Sequence, residues 1–168
     1  MPGTSRSEKM VHKKGVLIAE LVRVRSEILS ACEMLDGNKH MKLFIGTWSA
    51  RELLAHLAGW DVTNLESIDE IMQGCLPSFY SYADKDWASY NAKLVERFGC
   101  SEYKDQLELA RKTHAKMISR LQDIPAEDLW LDRGIRSHGW IVTIGRLLEV
   151  EAKDEAVHLQ QIRDFIEA

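Results

Sequence analysis

A group of polar side chains interrupts the apolar stripe of the last helix that the sequence predicts. At about 100° per residue, His158 points to the middle of a stripe that also carries Leu147 and Ile162. Glu151 and Asp154 lie on the same stripe. Burying charged groups without partners costs several kcal/mol. We therefore expect these side chains to be paired, hydrated or bound to a ligand.

The residue types in this group fit a metal site. Asp154 and His158 are one helical turn apart, so their side chains can converge on one point. His56, beside Trp60 on the edge of another apolar face, could complete a set of two histidines and one carboxylate. Such a set suits a divalent transition metal with open positions. Glu151 could be a further ligand, could orient a histidine or could act as a base. A hydrogen-bonded core network is the alternative.

Four further side chains are candidates for binding a small molecule, namely Trp60, Tyr90, His114 and Trp140. Small-molecule pockets are mostly apolar and contain few polar groups. The aromatic residues could instead cover one end of the fold. His114 lies at the centre of its predicted helix's apolar face and could equally be a core histidine.

The elements that must position these residues are helices. Apolar residues recur at three- and four-residue steps in four long segments, at about 12–35, 49–74, 101–122 and 143–166. Ser49 and Glu52 form a capping box at the start of the second segment. A shorter helix is predicted at 86–98, and a loop at 132–140. The sequence predicts an all-α bundle that forms one domain over 12–168, after a flexible tail over 1–11.

Composition narrows the classes of partner and the compartment. The formal charge of -4 argues against nucleic acid, which calls for a basic face. No apolar run approaches the length of about 20 residues that spans a bilayer, so we expect no membrane partner. The three widely spaced cysteines fit free thiols in a reducing compartment, which predicts a cytoplasmic protein.

Three segments resemble the DinB-like superfamily. They are TWSARELLAHLAGWD at 47–61, EVEAKDEAVHLQQIRDF at 149–165, and DKDWASYNAKLVERFG at 84–99. The third segment resembles the branch that contains ClbS and DfsB. The order of the segments agrees over nearly the whole chain.

This resemblance implies an up-down-down-up four-helix bundle that is often a homodimer. It also implies nickel or zinc held by one histidine on the second helix and a His-x-x-x-His pair on the last. His56 matches the first ligand and His158 the last. Asp154 stands where the family has its middle histidine.

Three functions follow as hypotheses. The first is a transferase or isomerase, or a hydrolase, that uses nickel, zinc or iron and a low-molecular-weight thiol. The metal would sit on His56, Asp154 and His158, and Glu151 would be a base or orient a ligand. The second is metal-independent detoxification of an electrophilic small molecule, as the ClbS branch implies. The third is a stress-related protein that binds a ligand or a partner without turnover.

Overall fold

The apolar periodicity of the sequence corresponds to long helices in the computed structural model, which describes residues 5–83 and 86–168. The all-α prediction is confirmed. In chain order the elements are α1 (Arg6–Glu33), a 3-10 turn (Lys39–Met41), α2 (Ala50–Met72), α3 (Phe79–Ala83), α4 (Trp87–Phe98), α5 (Tyr103–Asp123), α6 (Ala126–Leu129), β1 (Arg136–Ser137), β2 (Trp140–Ile141) and α7 (Ile144–Glu167).

Capping residues set the starts of the first two long helices. The Ser5 hydroxyl accepts a hydrogen bond from the Glu8 backbone N–H at 3.2 Å, and the Glu8 carboxylate accepts one from the Ser5 N–H at 2.6 Å. Residues 6–11, which we placed in a flexible tail, are therefore helical, while residues 1–4 lie outside the described residues. The predicted capping box of Ser49 and Glu52 is confirmed at the start of α2.

The long helices surround a core that is divided into two apolar halves. α1 packs against α7 and α5, and α2 packs against α5 and, more sparsely, α7. One apolar cluster includes Leu21, Ile68, Met117 and Leu148, whereas the other includes Val24, Leu57, Leu107 and Leu159. Every long helix carries buried polar side chains between the two clusters. We call these residues the polar layer, and they are Arg25, Asp61, Asn64, Thr113, His114, Glu151 and Glu155.

The loop predicted at 132–140 contains a short β-hairpin instead. Ser137 pairs with Trp140 across a two-residue turn in which His138 has a φ of 48° and Gly139 a φ of 81°. Positive φ at both central residues is typical of hairpin turns, and glycine adopts it without strain. Strands of two residues are too short to produce an alternating apolar pattern.

The segment at 84–99 contains the whole of α4, which packs on α2, and its residues 84 and 85 lie outside the described residues. Gly59 permits this contact, because a Cβ there would lie 2.8 Å from the Cβ of Leu94. In the described ranges, no helix combines the length and the hydropathy that a bilayer span requires.

Candidate functional site

The guanidinium of Arg25 is the centre of the polar layer. It donates to both carboxylate oxygens of Asp61 at 2.8 and 3.1 Å, and to both of Glu155 at 2.6 and 3.0 Å. A longer contact of 3.4 Å reaches the Ala110 carbonyl oxygen. All five N–H groups of Arg25 are thereby used, and they tie α1 to α2, α5 and α7. Arg25, Asp61 and Glu155 are each at most 1% exposed.

Asp61 joins this ion pair to α5. The Thr113 hydroxyl donates to it at 2.6 Å, and the His114 Nδ1 lies 3.8 Å from its other oxygen. Burial alone would raise the pKa of Asp61, but the positive charge of Arg25 and the hydrogen bonds outweigh burial and lower it. His114 belongs to this interior network and does not line the large cleft described below. The buried position of His114 on α5 gives it no direct contact with that cleft, and a role for it in binding a small molecule stays a prediction.

One group in the described part of the chain has the closeness of metal ligands. Asp61, His114 and Glu155 each offer an atom within 4.8 Å of the others, and all three residues are buried. Both carboxylates, however, already share the guanidinium of Arg25. A divalent ion there would be repelled by a positive charge that cannot be removed, since arginine is not deprotonated in proteins. We therefore interpret this group as an ion-pair network.

A cleft of ≈ 960 Å³ opens beside α2 and α7. Its apolar lining includes Trp60, Phe79 and Trp87, and the hairpin contributes Trp140. Its polar lining includes His56, Glu151, Asp154, Glu155 and His158. Aromatic walls with a few polar groups are the usual composition of a small-molecule site.

Two of the three predicted metal ligands come together in this cleft. The rings of His56 and His158 are 5.2 Å apart and perpendicular. His56 is buried, and its Nδ1 has no hydrogen-bond partner. Burial, followed by the neighbouring His158 and the positive charge of Arg25, lowers the pKa of His56 to about 3, so the His56 ring is neutral at pH 7. His158 Nδ1 lies 2.8 Å from Gln161 Oε1. An amide oxygen can only accept, so this contact favours the tautomer that carries its proton on Nδ1 and leaves Nε2 able to accept.

The third predicted ligand does not join them. Asp154 is exposed, and His56, Asp154 and His158 do not form a described group whose donor atoms all lie within 4.8 Å of one another. The reason is the phase of α7: its buried face is centred near Glu155, about 60° from His158, which turns Asp154 toward solvent. The donor geometry therefore does not fit a preformed three-ligand metal site.

Glu151 is a buried residue of the cleft whose pKa is strongly raised. Burial raises its pKa to about 8, and the carboxylates of Glu155 and Asp61 act in the same direction. Asn64 and Arg25 lower the pKa by less. The Asn64 amide lies near Glu151 but makes no hydrogen bond of normal geometry. Glu151 is consequently a mostly neutral acid at pH 7.

The aromatic candidates divide into lining and supporting residues. Trp60 lines the cleft, and its Nε1–H donates to Asn91 Oδ1 at 3.0 Å. Trp140 lines the cleft and is 76% exposed. Tyr90 is not among the lining residues: its ring lies 5.4 Å from that of Trp60, and its hydroxyl is 3.2 Å from that of Thr63. It supports the aromatic wall from behind.

Arg25 was not among the candidate residues that the sequence analysis named. The signal was nevertheless in the sequence. Arg25 lies four residues after Leu21 and three before Ile28, both of which are core residues, so it occupies the buried face of α1.

Comparison with known proteins gives a family and a fold. A family model described as DinB superfamily matches residues 20–162. No curated protein matches the chain. Among solved structures, the colibactin self-resistance protein ClbS in complex with double-stranded DNA is similar, with 15% identity, a TM-score of 0.75, and coverage of 92% of this chain and 96% of that one. An uncharacterised protein from Escherichia coli UTI89 is similar with 17% identity, a TM-score of 0.73, and 92% coverage of each chain.

These structures correct one prediction about partners. We excluded nucleic acid because of the net charge of -4. ClbS, which has a similar fold, was solved bound to double-stranded DNA. The exclusion is therefore wrong, since net charge describes the whole chain and not the surface that meets a partner.

Proposed function

This chain belongs to the DinB superfamily, and we propose that it is an enzyme that adds a small nucleophile to an electrophilic organic molecule held in the aromatic cleft. The nucleophile carries an exchangeable proton and is either water or a low-molecular-weight thiol. The observation that supports this proposal best is Glu151, a neutral acid that lines the same cleft as two histidines. The fold similarity to a self-resistance protein agrees with a protective role.

The aromatic and the polar residues of the cleft have different roles. The aromatic walls hold the apolar body of the substrate, and its reactive centre lies against the polar residues. His158 Nε2 accepts the proton of the nucleophile as the new bond to carbon forms. Glu151 donates its proton to the atom that receives the displaced electron pair. The net result is addition of the nucleophile and its proton, after which solvent returns the proton from His158 to Glu151.

The nucleophile comes from outside the chain. No cysteine is among the described residues that line the cleft. Cys32 is buried in the core, and burial raises its pKa to about 12, so it stays a thiol at neutral pH. Thr143 lines the cleft, but its hydroxyl caps α7 by accepting from the Arg146 N–H.

The metal-dependent hypothesis has less support. His56, with its neutral ring and free Nδ1, fits a metal ligand by type, but among the described residues the donor atoms of His56, Asp154 and His158 do not all lie within 4.8 Å of one another. The proposed reaction therefore contains no metal step. A ligand-binding protein without turnover would use the same cleft and would differ from the proposed enzyme only in that no product forms.

Turnover of defined electrophiles tests the proposal. The protein would be incubated with aromatic epoxides and α,β-unsaturated ketones, each with and without reduced glutathione, and products identified by mass spectrometry. We expect a water or glutathione adduct that wild type forms and Glu151→Gln does not. Glu167→Gln, at an exposed position of the same helix, is the matched control and should retain full activity.

The same samples separate the other functions. Elemental mass spectrometry would give the metal content, and exhaustive chelation should leave turnover unchanged. Activity that disappears on chelation and returns with nickel, zinc or iron would overturn the metal-free reaction. Saturable binding of a probe without any adduct would instead favour a ligand-binding protein.

A further inference from the structure

Among the charged side chains of the polar layer, carboxyl groups outnumber the guanidinium group of Arg25. Glu151, Asp61 and Glu155 are buried carboxyl groups on two helices, and Arg25 is the buried guanidinium among them. Both oxygens of Asp61 and both of Glu155 accept hydrogen bonds from Arg25. With its remaining N–H group directed to Ala110, Arg25 makes no hydrogen bond to Glu151. Two acids are thus ion-paired, and the third is not.

The surroundings of Glu151 come from three helices. Arg25 faces it from α1, Asp61 and the uncharged Asn64 from α2, and Glu155 from one turn further along α7. Two charged carboxylates therefore oppose a single guanidinium around this position. A further negative charge there would be buried next to like charges, which is the costliest arrangement for a carboxylate.

We infer that the ion pair of Arg25 and Glu155 is a positioning device that keeps Glu151 a proton donor. Arg25 does not line the cleft. Its own charge favours ionisation of Glu151, but it also ion-pairs with the Glu155 carboxylate, one helical turn from Glu151, and the negative charge of that carboxylate opposes ionisation of Glu151 more strongly. The inference rests on the proposed function, in which Glu151 supplies a proton.

This arrangement also explains how the acid is reset. When Glu151 gives its proton to the substrate, two neighbouring carboxylates on α7 become charged together. The repulsion between them draws a proton back to Glu151 once the product leaves. Without Glu155 as an anion, Glu151 would ionise at lower pH and would stop acting as an acid near neutrality.

Infrared spectroscopy tests the inference without any substrate. The C=O stretch of a protonated carboxyl group would be followed against pH in the full chain. We expect a band in wild type at neutral pH that is absent from Glu151→Gln. In Glu155→Gln the midpoint at which the band disappears should fall by about one pH unit or more. Glu155→Asp, which restores the charge, should recover most of that shift, and Glu149→Gln should leave the midpoint unchanged.

The outcomes separate the inference from the proposed function. An unchanged midpoint in Glu155→Gln would overturn the role of the ion pair, even if turnover of epoxides still requires Glu151. A band that persists in Glu151→Gln would show that another acid holds the proton and would also overturn it. If Glu155→Gln does not fold, Glu151→Gln can still overturn the inference, because glutamine has nearly the shape of the neutral acid and a band that persists in this variant would belong to another acid. If only the proposed function is wrong, turnover would be absent while the midpoints of the infrared band still shift as expected.

Discussion

Replacing Glu151 with glutamine should change the pH dependence of stability in an unusual direction. The folded chain holds a proton on Glu151 up to about pH 8, whereas the unfolded chain releases it near the ordinary value of 4.5. The folded state therefore binds more protons between these pH values, and the free energy of unfolding falls as pH rises through this window. Each pH unit is worth about 1.4 kcal/mol, so the loss approaches about 5 kcal/mol at most.

Glutamine mimics the neutral acid and does not titrate. We expect Glu151→Gln to match wild type within about 1 kcal/mol near pH 5, and to be more stable than wild type by a few kcal/mol near pH 9. Urea unfolding of both proteins at the two pH values would measure the difference. Most polar substitutions in a core destabilise a protein, so a higher free energy of unfolding near pH 9 would not be expected from the substitution alone.

Glu167→Gln provides the control for this prediction, because Glu167 is exposed on the same helix. Its stability relative to wild type should be the same at both pH values. A Glu151→Gln variant that is destabilised equally near pH 5 and near pH 9 would show instead that Glu151 is ionised in the folded state.

Other perturbations test the layer and the cleft. Arg25→Met should lower the free energy of unfolding by about 3–5 kcal/mol, because it leaves Asp61 and Glu155 buried without a counter-ion; a loss below about 1 kcal/mol in urea unfolding would contradict the network. Gly145→Ala should cost about 1–3 kcal/mol in thermal unfolding, because its Cβ would lie 2.2 Å from Trp130 Nε1, and no loss would show that the ring moves freely. Trp140→Ala should change stability by less than about 0.5 kcal/mol yet weaken binding of the fluorescent dye ANS about tenfold; unchanged affinity would place the dye outside the cleft.

Helical periodicity predicted the long helices well, since it depends only on local spacing. The segments at 49–74, 101–122 and 143–166 agree with α2, α5 and α7 to within two residues. The first helix begins earlier than expected because the capping box at Ser5 and Glu8 lies within a polar stretch, where no apolar pattern marks a start. The hairpin was missed for a related reason, since its pairing is set by the turn at His138 and Gly139.

The site was predicted in part, and the errors arose from helix phase. We centred the stripe of α7 on His158, while the buried residues centre near Glu155. A rotation of about 60° keeps Glu151 inside and turns Asp154 out. Apolar residues alone could not fix this phase, because Arg25 supplies the partner that lets Glu155 be buried. Contacts between helices more than a hundred residues apart are not visible in periodicity.

A titration of Glu151 would show whether a neutral acid lines the aromatic cleft. The side-chain carboxyl carbon would be followed by carbon-13 NMR from acid to alkaline pH, with its signal assigned by its absence in Glu151→Gln. We expect a pKa near 8. If the Glu151 carboxyl instead titrates near its ordinary value of 4.5, the proposed reaction is wrong, because the cleft would then hold a carboxylate with no proton to donate at neutral pH.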